Sequence, residues 1–135
     1  MNKKDIPKKI AVKKSSAGLG LFAIEDFKKG EPIIEYTGDR ITDVEAQKRG
    51  GKYLFEVHEN LTIDGTKRHN TARYMNHACK PNAEAEHDEA TNRIYIRAKK
   101  SIKLGEEVTY HYGKDYFKRM IQPIGCKCIS CFKKA

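Results

Sequence analysis

Apolar and polar positions alternate over short runs along this chain, and few runs are long enough for a helix. Ile10 and Val12 are separated by polar or small residues and flanked by lysines, the pattern of a short half-buried strand. Residues 18–27 follow a turn, and Lys28-Lys29-Gly30-Glu31-Pro32 predicts a second one. Ile33, Ile34 and Tyr36 are strand formers. Thr42-Asp43-Val44-Glu45 is a capping box, with Thr42 as N-cap and Glu45 three residues on. It predicts a short helix over about 42–52, stopped by Gly50-Gly51. Residues 53–57 and 61–63 read as strands, residues 83–87 and 93–98 as a hairpin, and residues 107–112 as a last strand. Many short strands, one clear helix and no internal repeat predict a mainly β fold of several small sheets with short helices.

Gly18-Leu19-Gly20-Leu21-Phe22-Ala23 fits the G-x-G-x-x-A dinucleotide fingerprint. That fingerprint needs an apolar strand before it and a sizeable helix after it. Here the preceding segment is rich in lysine, and Gly30 and Pro32 leave room for about two helical turns, too few for a crossover. The glycines still mark a tight turn or a close backbone approach.

The 135 residues suit one domain, 39% of them hydrophobic and 33% charged, within the range of globular proteins. No apolar stretch approaches the ~18 residues of a membrane span, and the N-terminal segment has no apolar core of a secretory signal. The expectation is a soluble intracellular protein without a membrane partner, nuclear or chromatin-bound in a eukaryote and cytoplasmic in a bacterium. The net charge of +9 is concentrated at the ends. Residues 1–14 carry six lysines against Asp5, and residues 114–135 carry six basic residues against Asp115. The stretch between, with 15 basic and 16 acidic residues, is close to neutral. Such ends either provide solubility or touch nucleic-acid phosphates.

Cys126, Cys128 and Cys131 form a C-x-C-x-x-C cluster, and Cys79 is the fourth cysteine. In a reducing compartment this spacing favours one tetrahedral zinc ion over two disulfides. Cys79 would then be folded in from far along the chain.

Four segments, in order, resemble the SET domain of protein lysine methyltransferases. Gly18 to Ala23 is similar to that family's N-terminal cofactor loop, and Glu35-Tyr36-Thr37-Gly38 to the strand and turn that follow. Arg73-Tyr74-Met75-Asn76-His77-Ala78-Cys79-Lys80-Pro81-Asn82 is similar to its R-F-I-N-H-S-C-x-P-N signature. Gly105-Glu106-Glu107-Val108-Thr109-Tyr110-His111-Tyr112-Gly113 is similar to its G-E-E-L-T-Y-D-Y-G. The cysteine cluster looks like the family's post-SET tail. The resemblance implies three small sheets around a C-terminal pseudoknot, S-adenosylmethionine as methyl donor and a lysine as acceptor. It divides the chain into a basic arm over 1–9, a SET core over 10–113 and a zinc-binding tail over 114–135.

Methyl transfer to lysine needs the neutral amine, yet a free lysine with a pKa near ~10.4 is neutral only about a few times in ten thousand at pH 7. Burial and a nearby positive charge lower that pKa. A narrow apolar channel aligns nitrogen, methyl and sulfur, and tyrosines suit its wall because ring and hydroxyl play different parts. The resemblance assigns Tyr112 to a place beside the transferred methyl. Tyr110 falls at the position that limits how many methyl groups fit, and its hydroxyl there implies mono- or dimethylation. Tyr36 is a further channel tyrosine. His111 stands where the family has Asp, and strand alternation turns it away from Tyr110 and Tyr112. For the cofactor, the resemblance assigns Ala17, Gly18, Leu19 and Gly20, then Asn76 and His77, with Tyr53, Arg73 and Tyr112 in support. Phe117 or Phe132 would stack on adenine or simply pack. Cys79, Cys126, Cys128 and Cys131 would hold the zinc and clamp the tail over the site.

The implied substrate is a lysine in a basic protein or peptide such as a histone, with nucleic-acid contact through the basic ends. Two rival readings remain: a zinc-stabilised nucleic-acid binding module, and a catalytically inactive SET domain acting as a protein-interaction module.

Overall fold

A computed structural model of the chain describes residues 6–15, 18–51, 53–67 and 69–111. Among the described residues ten strands make three small sheets, joined by one α-helix and one 3-10 turn, as the alternating pattern and the family resemblance together imply. The first sheet has four strands in the order β1 (Ile10–Ser15), β2 (Gly18–Ala23), β10 (Glu107–Tyr110) and β7 (Asn76–His77). Strands β1 and β2 form a hairpin that pairs Ile10 with Ala23 and Ser15 with Gly18. Strand β10 runs antiparallel to β2 and parallel to β7. The second sheet orders β3 (Pro32–Tyr36), β9 (Arg93–Ala98) and β8 (Ala83–Asp88), all antiparallel. The third orders β4 (Asp39–Ile41), β6 (Leu61–Asp64) and β5 (Leu54–His58).

The main core lies between the first two sheets. Leu21, Ile96, Ile102 and Val108 have no exposed surface, and Phe27, Ile33 and Met75 close around them. Leu21, Ile96 and Val108 come from β2, β9 and β10, so one apolar residue from each of three sequence-distant strands meets in the centre. A second cluster joins the second and third sheets through Tyr36, Ile63, Ala72 and Ile94, with Phe55 against Tyr36 at 5.3 Å between ring centres.

The helix is held differently. It spans Asp43–Arg49 and buries no side chain. Thr42 Oγ1 accepts the Glu45 amide at 3.3 Å, so the expected cap forms. The reciprocal half of the box does not, because Glu45 accepts Arg49 Nε at 3.0 Å instead. Arg49 also reaches Asp39 at 3.2 Å and Asp64 at 3.1 Å, and Asp43 and Asn60 exchange two hydrogen bonds. The helix is therefore a polar clip on the third sheet.

Three features escape the sequence pattern. Residues 18–23, expected as a cofactor loop, are strand β2, because Leu21 and Ala23 alternate into the core. Strands β4 and β7 are three and two residues long, too short for periodicity to register. Residues Thr71–Tyr74 form a 3-10 turn leading into β7. The threading of the C-terminal segment concerns residues from 112 onward, which lie outside the described residues.

The contrast between helix and core yields a stability prediction. Thr42→Ala is expected to cost about 1 kcal/mol in urea unfolding, and Ile96→Ala, which empties the centre of the core, about 2–5 kcal/mol.

Candidate active site

Strand β10 enters between β2 and β7, and this insertion assembles the candidate site. Its residues Thr109 and Tyr110 lie in register with Asn76 and His77, and Glu107 and Val108 pair with Phe22 and Leu21. Three segments more than fifty and about thirty residues apart in sequence thus share one sheet.

One side chain touches all three. The Asn76 amide donates to Leu19 O at 2.9 Å, to Glu107 Oε2 at 2.8 Å and to Ser15 Oγ at 3.1 Å. Its two N–H bonds are divided among three acceptors, so its nitrogen is fully committed and the amide plane is fixed. Its carbonyl oxygen is left as an acceptor. Gly20 makes this approach possible: an added Cβ would lie 2.5 Å from Glu107 Oε2 and 3.1 Å from Asn76 Nδ2. Beside it, Gly18 has φ +104° and open space around it, so the backbone at this end of β2 is accessible.

His77 is buried, 7% exposed. Burial, and then the neighbouring His111, hold its pKa down at about 4, so the ring is neutral at physiological pH. The His111 ring meets it edge-on at 4.4 Å. His111 thus lies beside the Asn-His pair. Strand β10 ends at Tyr110, so alternation no longer sets the direction of the next side chain. Tyr110 is partly buried against the main core, and its carbonyl accepts the Ala78 amide at 3.0 Å. Cys79 follows directly, with Sγ 3.6 Å from His77 Nε2.

Asn82, buried at 9% exposure, is the residue that sequence reasoning left without a role. Its amide donates to Glu107 O at 2.8 Å, and its Oδ1 accepts the Thr109 amide at 2.9 Å. It is thus a side-chain latch on the backbone of β10. Glu107 was also unassigned, although it anchors Asn76. The available signals were the Pro81-Asn82 pair ahead of a strand and the acidic pair at the start of β10.

The remaining candidates form a second group. The Arg73 guanidinium lies over the Tyr53 ring at 4.6 Å and the Tyr74 ring at 5.2 Å, and donates to Thr66 O. Tyr36 is 3% exposed and its hydroxyl donates to Tyr53 O at 2.6 Å, so its ring is also a core element. The 3-10 turn carrying Arg73 continues through Met75 into β7, which links this group to the first. Ala17, Tyr112, Phe117, Phe132, Cys126, Cys128 and Cys131 lie outside the described residues. Among the described residues no cluster of three or more His, Cys, Asp or Glu is placed to hold a metal, and no helix is long and apolar enough to cross a membrane.

The profile of the SET domain matches residues 18–113. The chain belongs to the SET-domain family. It is 38% identical over 121 residues to the H3 lysine-4 specific histone-lysine N-methyltransferase of Schizosaccharomyces pombe, covering 82% of this chain and 13% of that protein. It is 41% identical over 106 residues to histone-lysine N-methyltransferase set-2 of Caenorhabditis elegans, covering 70% of this chain and 7% of that one. Its fold is similar to a chain in the crystal structure of the Chaetomium thermophilum polycomb repressive complex 2. The TM-score is 0.72 at 33% identity, covering 83% of this chain and 16% of that one. The chain therefore spans only a small part of these relatives. The SET match covers all three segments that meet at Asn76, and the G-x-G-x-x-A resemblance to a dinucleotide fold falls away because β2 is followed by a turn, not a helix.

Removing the latch should loosen β10 selectively. Asn82→Ala deletes two hydrogen bonds and strands two backbone groups, expected to cost about 2–4 kcal/mol. Hydrogen exchange of the Thr109 amide should accelerate more than that of Ile96. Equal acceleration at both would mean that the latch role is wrong.

Proposed function

We propose that this SET domain is an S-adenosylmethionine-dependent protein lysine N-methyltransferase acting on a lysine in a basic protein such as a histone. The observation that carries the reading is the Asn76 amide, which ties the glycine segment, the Asn-His pair and the Tyr110 strand into one site. The donor set fits the amino-acid end of the cofactor. Asn76 offers a fixed carbonyl oxygen to an ammonium group, and the exposed strand end at Gly18 and Leu19 leaves room for the carboxylate beside it. Ala17, Gly20, His77, Tyr53, Arg73 and Tyr112 complete the proposed cofactor surface. When bound, S-adenosylmethionine supplies an electrophilic methyl group.

The chain's own residues would do the rest. Tyr110 and Tyr112 line the lysine channel, exclude bulk water and hold the amine by their hydroxyls, and Tyr36, its own hydroxyl bound to the Tyr53 carbonyl, backs the channel wall from the core. The lysine ammonium gives its proton to water before transfer, so no strong base is required of the protein. Tyr110 limits the product to mono- or dimethyl-lysine. A neutral His77 adds no positive charge next to the cofactor's own.

Cys79 with Cys126, Cys128 and Cys131 would hold one zinc ion, clamp the tail across the site and fix the threaded C-terminal segment. Thiolate donors at C-x-C-x-x-C spacing support this. The names of the relatives support a histone substrate and a chromatin location, and make histone H3 with its lysine 4 the first acceptor to test. The polycomb complex structure supports work within an assembly. The zinc-stabilised nucleic-acid module accounts for the charge and cysteines but not for the fixed Asn76 and register-matched Tyr110. An inactive SET interaction module would have no need of that geometry either.

The test is transfer of tritium from labelled S-adenosylmethionine to core histones by the zinc-loaded protein. Label is expected on lysine, and Tyr112→Phe should lower it roughly tenfold to a hundredfold. A folded protein that binds no cofactor by calorimetry would overturn the enzyme reading. Chelation of zinc should abolish transfer while the circular dichroism of the strands persists. Uniform loss of structure would instead make the metal a requirement of the whole fold.

A further inference from the structure

Two adjacent turns and the Lys80 loop beside the Asn82 latch carry six exposed lysines. The turn of Lys28 and Lys29 runs antiparallel beside the turn of Lys99, Lys100 and Lys103. Phe27 and Ile102 exchange backbone hydrogen bonds of 2.7 and 3.0 Å, and Gly30 N donates to Ala98 O at 2.7 Å while Ala98 N donates to Glu31 O at 2.9 Å. Lys99 N donates to Asn82 O at 2.8 Å, which brings the loop of Lys80 alongside. All six side chains are exposed, and among the described residues none forms an ion pair.

Carboxylates are present here, and three of them accept backbone amides. Glu31 accepts the Lys28 amide at 3.0 Å and the Lys9 ammonium at 2.7 Å. Glu106 accepts the Lys103 amide at 2.7 Å, and Asp26 accepts the Leu104 amide at 2.8 Å. Glu25 is exposed nearby. The acids therefore stiffen the turns; the Lys28 charge is felt by Glu31, but among the described residues none of the six ammonium groups closes an ion pair, and they stand on a base of buried Phe27 and Ile102. Compact point charges on stiff turns suit a repeating, closely spaced anion, and duplex DNA offers one charge per ~1.7 Å of axis.

We propose that this double-turn lysine surface binds the phosphate backbone of duplex DNA, independently of the basic ends of the chain. It reads no sequence, since nothing in it is built to reach base edges. The proposal extends the methyltransferase reading, because a histone substrate is presented next to DNA, but its test needs no catalysis.

The experiment measures anisotropy of a labelled duplex of about 20 base pairs against the zinc-loaded full chain over ~50–200 mM salt. It is repeated with Lys28, Lys29, Lys99 and Lys100 all changed to Gln. Each phosphate contact contributes about 0.9 to the slope of log K on log salt, so the slope should fall by ~3–4 and affinity by more than tenfold. An unchanged slope in this variant overturns the proposal, as does wild-type binding to poly-glutamate as tight as to the duplex, which would make the partner an acidic protein surface. All four side chains are exposed, so an unchanged melting temperature should accompany the loss. Transfer to a free histone peptide should be equal in the two proteins. Its absence in both, with DNA binding intact, would count against the methyltransferase alone.

Discussion

Everything at the candidate site depends on how four residues, Glu107–Tyr110, are held between two strands that do not pair with each other. Strand β7 is two residues long and cannot form a stable ladder by itself. It exists because β10 is already beside it, and β10 is held by β2 on one flank and by the Asn82 latch on its backbone. Val108 supplies the apolar side of this insertion, fully buried in the main core. Side-chain packing and side-chain hydrogen bonds thus substitute for the length that a short strand lacks. A buried asparagine with both ends engaged is the economical solution, since one residue satisfies a backbone donor and a backbone acceptor at once.

Asn76 uses the same chemistry for another purpose. Its amide nitrogen is committed within the protein, which leaves its carbonyl in a set orientation. A binding group held in this way needs no ordering when a ligand arrives, and that lowers the entropic cost of binding. The cost is a close approach tolerated only at Gly20, where a side chain would displace the Glu107 carboxylate. The glycine is explained by the side chain across from it, not by the turn it follows.

The sequence made most of the architecture legible, and the reasons are local. Strands β3, β5, β6, β8 and β9 carry apolar residues at spacing two or in short runs, and the Thr42 cap marks the helix within a residue. What stayed hidden depends on partners far along the chain. Strand β7 has no periodicity to find, and β2 was masked by its glycines, which suggest a loop until Leu21 is seen to be buried. The family resemblance supplied Asn76, His77 and Tyr110, which spacing alone could not bring together. It did not single out Asn82 and Glu107, because their function is to hold other candidates in place. The contact of His111 with His77 was equally invisible, because alternation is a property of a paired strand and the pairing stops one residue earlier.

The same division between apolar and polar construction separates the parts of the fold that must be fixed from those that need not be. The first two sheets share a continuous core, and the site strands β2, β7 and β10 stand on it. The helix buries nothing and relies on Arg49 spread over three carboxylates, an arrangement that salt screens and that contributes little to stability when exposed. Strands β4, β5 and β6 connect to the core mainly through the Tyr36 cluster. Tyr36 therefore has two functions pulling on it: its ring joins two sheets, while its hydroxyl is bound to the Tyr53 carbonyl next to the Arg73 stack. Ring and hydroxyl together tie the third sheet to the second at one residue.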